Sequence, residues 1–247
     1  MKTEEQKIEF RSQGFALKGV LHLPESIHPP LVVGSHGLEG SKESAKQIVL
    51  ARLLPKMGIA FFRFDHRGCG QSHGDFVNDT SLEKRTTDLI AAITHVMALK
   101  KTCDSLGLYG SSMGGATCIN GWNRIEALPL RLYGAVLCSA PVKSRTIENI
   151  PVHATDNRPA LPLSFFKENL LFNITDKSEQ LHHTLLFHGD ADDVVPVSNA
   201  HQIYARAKEP KRLIIHTNGD HQMTLKKDQA EFEKEAPAWF KNCFRDR

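Results

Sequence analysis

Two adjacent serines flanked by glycines, in the stretch "YGSSMGGA" at residues 109–116, are the first group that could carry out chemistry. The pattern G-x-S-x-G fits this stretch in one register only, with Gly110, Ser112 and Gly114 as its fixed points. That pattern is typical of a tight turn between a strand and a helix, which exposes the serine hydroxyl as a nucleophile. The register therefore selects Ser112, rather than Ser111, as the candidate nucleophile.

A serine hydroxyl is a poor nucleophile at neutral pH, so it needs a base within hydrogen-bond reach and a third group that orients the base. Suitable residues follow Ser112 along the chain. The segment "HGDADDVVP" offers three acids, Asp190, Asp192 and Asp193, and "NGDHQM" offers His221 as the base. The order Ser, Asp, His predicts a catalytic triad at one edge of a sheet. The spacing leaves the choice among the three aspartates open.

Acyl transfer also needs donors for the negative charge that develops on the carbonyl oxygen, typically two backbone N–H groups. The N–H of Met113 should lie at the N-terminus of a helix, where the helix dipole is favourable. The second candidate lies in "SHGLEGSK", where the glycine at position 37 lets the backbone turn the Leu38 N–H towards the pocket. We therefore predict Met113 and Leu38 as the oxyanion donors.

Several other histidines could bind a metal or line the pocket. His182, His183 and His188 lie close to the three aspartates, but their spacing matches neither H-E-x-x-H nor a calcium-binding loop. We therefore predict no metal site, and the serine chemistry requires no organic cofactor. We expect His36, His66 and His73 in loops near the mouth of the pocket.

Apolar runs that end in polar, turn-forming segments predict the strands that position these residues. An N-terminal pair of strands should turn near Gln13 and run antiparallel. The later runs are "PPLVVGSHG", "GIAFFRFDHRG", "SLGLYG", "LYGAVLCSAP", "HTLLFHGDADDVVP" and "KRLIIHTNGDH". A helix capped by Thr80, with Glu83 completing a capping box, precedes the third of these. A final helix over about 227–244 should be kinked or divided by Pro237. This alternation predicts an α/β fold, with a mostly parallel central sheet and helices on both faces.

The segment 140–183 contains four prolines and no clear strand. A connection this long is usually functional, and it follows the end of a strand, so we predict a small cap insertion over the pocket. Phe165 and Phe166 in this cap either pack against the core or line the pocket for an apolar acyl group. Glu39, next to the second oxyanion donor, is a candidate polar contact for the substrate.

Composition restricts the partners. A net charge of +3 over 247 residues, with scattered Lys and Arg, predicts no nucleic-acid binding. No apolar stretch reaches the ~18 residues of a membrane span, and the N-terminus lacks the apolar segment of a signal peptide. Five cysteines without a C-x-x-C pair indicate reduced thiols. We therefore expect a single cytoplasmic domain over residues 1–247 that acts on a small molecule without membrane contact. Homodimer formation stays open.

Motifs along nearly the whole chain carry a resemblance to a known family: "HGLEG" at 36–40, "FDHRGCGQSHG" at 64–74, "GSSMGG" at 110–115, "HGDADDVVP" at 188–196 and "GDH" at 219–221. The sequence resembles the α/β hydrolases. Within them it resembles the small cinnamoyl and feruloyl esterases and the catalytic domains of prolyl-oligopeptidase-type peptidases. The resemblance implies an α/β-hydrolase fold, selects Asp192 as the acid of the triad, and makes the D-x-R-G-x-G-x-S segment a structural turn.

We therefore predict a serine esterase, which cleaves carboxyl esters through an acyl intermediate on Ser112 with His221 as base. The resemblance makes short acyl chains or hydroxycinnamoyl esters plausible substrates. One alternative is a peptidase, amidase or thioesterase with the same triad. Another, of a different class, is a binding protein that kept the fold and lost catalysis.

Overall fold

A single sheet runs through the part of the chain that the computed structural model describes, which is residues 3–144, 153 and 160–245. Its strands are Glu4–Ser12 (β1), Phe15–Leu23 (β2), Leu31–Ser35 (β3), Ala60–Phe64 (β4), Ser105–Ser111 (β5), Arg131–Cys138 (β6), Thr184–Gly189 (β7) and Lys211–His216 (β8). They lie in the order β1-β2-β4-β3-β5-β6-β7-β8. Strand β2 is antiparallel to both of its neighbours, and β3 to β8 are parallel to one another. The antiparallel N-terminal pair and the mostly parallel sheet are as predicted.

Helices connect most of the parallel strands. Their bounds are Ala45–Leu53 (α1), Phe76–Asp79 (α2), Leu82–Ala98 (α3), Met113–Glu126 (α4), Leu163–Phe165 (α5), Ser198–Arg206 (α6) and Lys226–Cys243 (α7). The described residues also form two 3₁₀ turns, Pro55–Met57 and Thr175–Gln180, and a π-helical turn, Phe166–Leu170. Within the described residues, every helix is too short or too polar to cross a membrane.

Side chains along the central strands alternate between two buried clusters, one on each face of the sheet. On β5, Leu108 packs with residues of α3 and α4, whereas its neighbour Tyr109 packs with residues of α1 and α7. On β3, Val33 and Val32 divide between the clusters in the same way. Helices therefore cover both faces, which confirms the predicted α/β fold.

The helix termini differ from the prediction at two points. The N-cap of α3 is Ser81 rather than Thr80: the Ser81 hydroxyl accepts the backbone N–H of Lys84 at 3.2 Å, whereas Thr80 is buried. The predicted capping box was therefore wrong by one residue. Helix α7 continues through Pro237 without division. Packing of its buried face, which includes Phe232, against the sheet offsets the backbone hydrogen bond that proline removes.

Much of the predicted cap, residues 145–152 and 154–159, lies outside the described residues. Its described residues include α5 and the π-helical turn, and an antiparallel bridge joins Lys143 to Asn173. Phe165 and Phe166 are buried there in a small cluster with Leu161, separate from the two clusters that flank the sheet.

A buried ion pair holds the turn after β4. Asp88 on α3 accepts the Arg67 Nε–H at 2.9 Å and Nη2–H at 2.6 Å through one oxygen, and the Arg67 backbone N–H at 3.0 Å through the other. Burial alone would raise the pKa of Asp88, but the nearby His66 imidazole and hydrogen bonds from Arg67 outweigh it and lower the pKa to about 2. The carboxylate is therefore charged at neutral pH and anchors the turn to the helix.

Asp88→Asn should lower the free energy of unfolding by about 3–5 kcal/mol, because it leaves the Arg67 guanidinium buried without its counter-charge. The matched control is Glu83→Gln on the same helix, whose partner Arg124 and whose own side chain are 47% and 66% exposed. This change should cost less than about 1 kcal/mol. Urea unfolding of both variants measures the difference, and equal losses would contradict the prediction.

Candidate active site

The predicted site residues follow four parallel strands. Leu38 lies after β3, Ser112 after β5, Asp192 after β7 and His221 after β8. Because these strands are parallel, their carboxyl ends lie at the same edge of the sheet, where open α/β sheets bind ligands. The topology therefore gathers residues that are far apart in the sequence.

Ser112 occupies a sharp turn between β5 and α4. Its φ of +52° and ψ of −124° lie in a region that side-chain-bearing residues rarely adopt, at a cost of about 1–3 kcal/mol. The flanking glycines permit this turn. A Cβ added to Gly110 would lie 2.6 Å from the carbonyl oxygen of Gly114, and one added to Gly114 would lie 2.0 Å from that of Ser35. The G-x-S-x-G spacing is thus a steric requirement of this turn.

A chain of two hydrogen bonds begins at the Ser112 hydroxyl. Ser112 Oγ lies 3.0 Å from His221 Nε2, and His221 Nδ1 lies 2.8 Å from Asp192 Oδ2. An ionised carboxylate can only accept, so the His221 proton lies on Nδ1 and Nε2 is the acceptor for the serine hydroxyl. In this tautomer the imidazole can take up a proton from Ser112.

Asp192 is 8% exposed, and both of its carboxylate oxygens accept hydrogen bonds. Oδ1 accepts the N–H groups of Val194 at 2.9 Å and Val195 at 2.7 Å, and Oδ2 lies 3.4 Å from His188 Nε2 in addition to His221. Burial acts to raise the pKa of Asp192, but hydrogen bonds from His188 and His221 outweigh it and lower the pKa below its usual value. The carboxylate is therefore a fixed negative charge behind the imidazole.

The two rival aspartates point elsewhere. Asp190 and Asp193 are exposed, and Asp190 accepts the Asn218 N–H at 2.6 Å. The residue in hydrogen-bond contact with His221 is Asp192.

The two predicted oxyanion donors flank the serine. Met113 is the first residue of α4, so its N–H is one of those that have no acceptor within the helix. The loop that contains Leu38 approaches from the other side, since a Cβ on Gly37 would lie 3.5 Å from Ser112 Cβ. Both donors stay predictions, and the loop geometry is compatible with them.

The expectation that His36 and His66 lie at the pocket mouth is wrong: both are fully buried behind the Leu38 loop. His36 Nε2 accepts the His66 N–H at 3.1 Å, and His66 Nε2 lies 2.9 Å from Ser35 Oγ. Burial and the nearby Arg85 guanidinium hold the pKa of His36 well below its usual value and lower the pKa of His66 to about 3. Both imidazoles are therefore neutral and act as packing and hydrogen-bonding groups.

A cavity of about 520 Å³ lies beside the Leu38 loop. It is bounded by that loop, the start of α1 and the turn after β4, through Leu38, Glu39, Gly40, Ser41, Glu43, Ser44, Gly68, Cys69, Gly70 and Phe76. Glu39, the predicted substrate contact, is in its wall. Phe165 and Phe166 are not, but the Phe165 ring lies 5.9 Å from that of Phe76 and so supports this wall from behind.

The sequence analysis missed two residues of this region. His188 was considered only as a metal ligand, yet it contacts the Asp192 carboxylate. Arg85 is 1% exposed and bonds to the loop before Leu38. A signal for Arg85 was present, because it lies on the apolar side of α3, three residues after Leu82 and four before Leu89. A charged residue at such a position is seldom buried without a specific partner.

Comparison with known proteins places the chain in a family. The model of the family described as "Serine aminopeptidase, S33" matches residues 28–163, more than half of the chain. The uncharacterized protein YfhR of Escherichia coli is 28% identical over 222 residues, which cover 87% of this chain and 73% of YfhR.

Solved structures share the fold. Est1E of Butyrivibrio proteoclasticus with bound ferulic acid has a TM-score of 0.78 at 21% identity, covering 94% of this chain and 97% of Est1E. The Pyrococcus furiosus esterase Pf2001 has a TM-score of 0.76 at 21% identity, covering 97% and 92%. The predicted α/β-hydrolase fold is thereby confirmed. The chain belongs to the S33 serine aminopeptidase family and is an α/β-fold serine hydrolase.

Proposed function

We propose that this hydrolase cleaves carboxyl esters through an acyl-serine intermediate, with Ser112 as nucleophile, His221 as general base and Asp192 as the group that orients the base. The hydrogen-bonded chain from Ser112 through His221 to Asp192, with distances of 3.0 and 2.8 Å, is the observation that carries the proposal. Two solved structures of similar fold, Est1E with bound ferulic acid and the esterase Pf2001, support an ester substrate.

The reaction proceeds in two half-reactions. Ser112 attacks the ester carbonyl while His221 Nε2 takes the hydroxyl proton, and the N–H groups of Met113 and Leu38 stabilise the tetrahedral oxyanion. Collapse passes the proton from His221 to the leaving alcohol and forms the acyl-Ser112 ester. Water, deprotonated by His221, then attacks that ester and releases the acid. The proton returns to Ser112.

Asp192 contributes through its charge and its position. Its hydrogen bond to Nδ1 maintains the tautomer in which Nε2 can accept the serine proton, and its negative charge stabilises the imidazolium that forms. The carboxylate is held by Val194 and Val195 N–H groups and by His188, so it does not need to move during the reaction.

Amide or peptide hydrolysis by the same residues is the second candidate. The family description and the acidic wall of the cavity favour it, since a carboxylate there could bind the ammonium group of a peptide N-terminus. Of the two acids in this wall, Glu39 lies next to Leu38, the predicted oxyanion donor, which makes it the residue to test. The ethyl ester and the amide of one amino acid form a matched substrate pair.

We expect the ester of this pair to have the higher kcat/KM, and Glu39→Gln to leave this preference in place. In an aminopeptidase, Glu39→Gln would instead raise KM for the amide with a free amine and leave KM unchanged for its N-acetylated form. That result would contradict the esterase proposal. This exchange removes the negative charge and keeps the side-chain volume, and so limits other effects.

Ser112→Ala should lower kcat/KM for p-nitrophenyl esters by at least about 10⁴-fold, because it removes the nucleophile. The neighbouring Ser111→Ala is the matched control and should leave most of the activity in place. Esters of graded acyl length, assayed with both variants and the wild type, give the activity and the preferred chain length together. A wild type that neither hydrolyses these esters nor reacts with a fluorophosphonate probe would favour the non-catalytic binding protein.

The kcat/KM should fall as the pH decreases, because protonation of His221 removes the base. The lowered pKa of Asp192 keeps that carboxylate ionised as the pH decreases, so the acid limb of the pH profile should fit the protonation of a single group. Activity that stays level down to about pH 4 would contradict the assignment of the base.

Asp192→Asn should lower kcat by about 10⁴-fold, since it permits the unproductive tautomer of His221. The variant of the exposed neighbour, Asp193→Asn, should resemble the wild type.

A further inference from the structure

Arg85 is a charged side chain buried in the middle of the fold. It is 1% exposed, and Asp88, the acid three residues further along α3, is hydrogen-bonded to Arg67. Among the described residues, Arg85 Nε has no hydrogen-bond partner. Burial lowers the pKa of Arg85 and makes its charge costly. Stability alone is therefore a poor explanation for an arginine at this position.

The guanidinium bonds to the backbone of the loop between β3 and α1. Its Nη2 donates to the carbonyl oxygen of His36 and, at 3.1 Å, to that of Gly37. His36 Nε2 already accepts the His66 N–H, so its proton lies on Nδ1 and is donated to the Gly37 oxygen at 2.7 Å. The 3.3 Å approach of Arg85 to His36 Nδ1 therefore sets donor against donor, and the two carbonyls are the true acceptors.

These bonds determine which way the next N–H points. The peptide between Gly37 and Leu38 is trans, so its C=O and N–H point in opposite directions. Three donors hold the Gly37 oxygen on the side of α3: His36 Nδ1, the Gly40 N–H at 3.2 Å, and Arg85. The Leu38 N–H must then point away from Arg85. The loop lies against Ser112, since a Cβ added to Gly37 would lie 3.5 Å from Ser112 Cβ.

We propose that Arg85 is a positioning residue for the oxyanion hole: it fixes the Gly37–Leu38 peptide so that the Leu38 N–H faces the developing oxyanion. The inference rests on the proposed function of Ser112. The guanidinium also polarises this peptide, because a cation on the C=O makes the N–H of the same peptide a stronger donor. Arg85 thus acts through the backbone and does not touch the substrate.

The test compares Arg85→Met and Arg85→Lys with the wild type. In Arg85→Met we expect kcat for a p-nitrophenyl ester to fall by about 10²–10³-fold with KM nearly unchanged, the effect of losing one oxyanion donor. Affinity for a trifluoromethyl ketone, whose hemiketal mimics the oxyanion, should fall by a similar factor. Arg85→Lys should be intermediate, since an ammonium can still donate to a carbonyl. The pH dependence should keep its acid limb.

The melting temperature separates positioning from structural support. Arg85→Met removes a buried charge, so we expect the large fall in kcat without a comparably large fall in the melting temperature. Arg124→Met, at the exposed arginine of α4, is the control and should change neither quantity. If Arg85→Met does not fold, Arg85→Lys decides: a lowered kcat at unchanged KM supports the proposal, and an unchanged kcat overturns it.

Other outcomes overturn the inference in distinct ways. An active, fluorophosphonate-labelled wild type whose Arg85→Met variant keeps kcat, or keeps its affinity for the trifluoromethyl ketone, would overturn the role of Arg85 and leave the esterase proposal intact. A wild type that neither turns over esters nor reacts with the probe would overturn both.

Discussion

The turn at Ser112 is the constraint on which the rest of the site depends. A residue with a side chain is held there in a left-handed backbone conformation, directly between a buried strand and a buried helix. The turn brings the backbone of residue 114 against the end of β3, so close that a Cβ at that position would overlap the Ser35 carbonyl. The cost of about 1–3 kcal/mol is offset by the packing of β5 and α4 into the core. The result is a hydroxyl presented at the sheet edge in one orientation.

Behind this turn lies a second, polar layer that supports the Leu38 loop. His36, His66, Arg85, Arg67 and Asp88 are all nearly or fully buried and are linked by hydrogen bonds, except that His66 and Asp88 are joined by a 3.6 Å contact. Such a network is expensive, because each desolvated group must find a partner. Its members bond to the backbone of two loops that border the cavity, which explains why polar groups rather than apolar ones occupy this part of the interior.

The electrostatic arrangement separates the groups that must stay neutral from the one that must stay charged. Burial and a neighbouring cation keep His36 and His66 uncharged. Asp192 is buried as well, yet backbone N–H groups and two imidazoles keep it ionised. His221, at 17% side-chain exposure, lies between an ionised carboxylate and a serine hydroxyl and is within hydrogen-bond distance of both. This is the geometry that a general base requires, and it is compatible with ester and amide substrates alike.

The sequence by itself determined the features that depend on local geometry or on the order of the chain. Glycine spacing around Ser112 follows from the steric limits of one turn, and apolar runs indicated each of the parallel strands. The spacing of the three acids along the chain did not suffice to choose among Asp190, Asp192 and Asp193. Family resemblance pointed to Asp192, and the contact with His221 is a matter of tertiary structure.

The tertiary structure decided what depends on neighbours distant in the sequence. Whether His36 is exposed depends on α3 covering the loop, and whether Phe165 reaches the cavity depends on Phe76, about ninety residues earlier. Arg85 lay on an apolar helix face, but nothing near it in the sequence indicated that its acceptors are carbonyls some fifty residues away. Long-range packing sets these contacts, and hydrophobic periodicity contains no information about them.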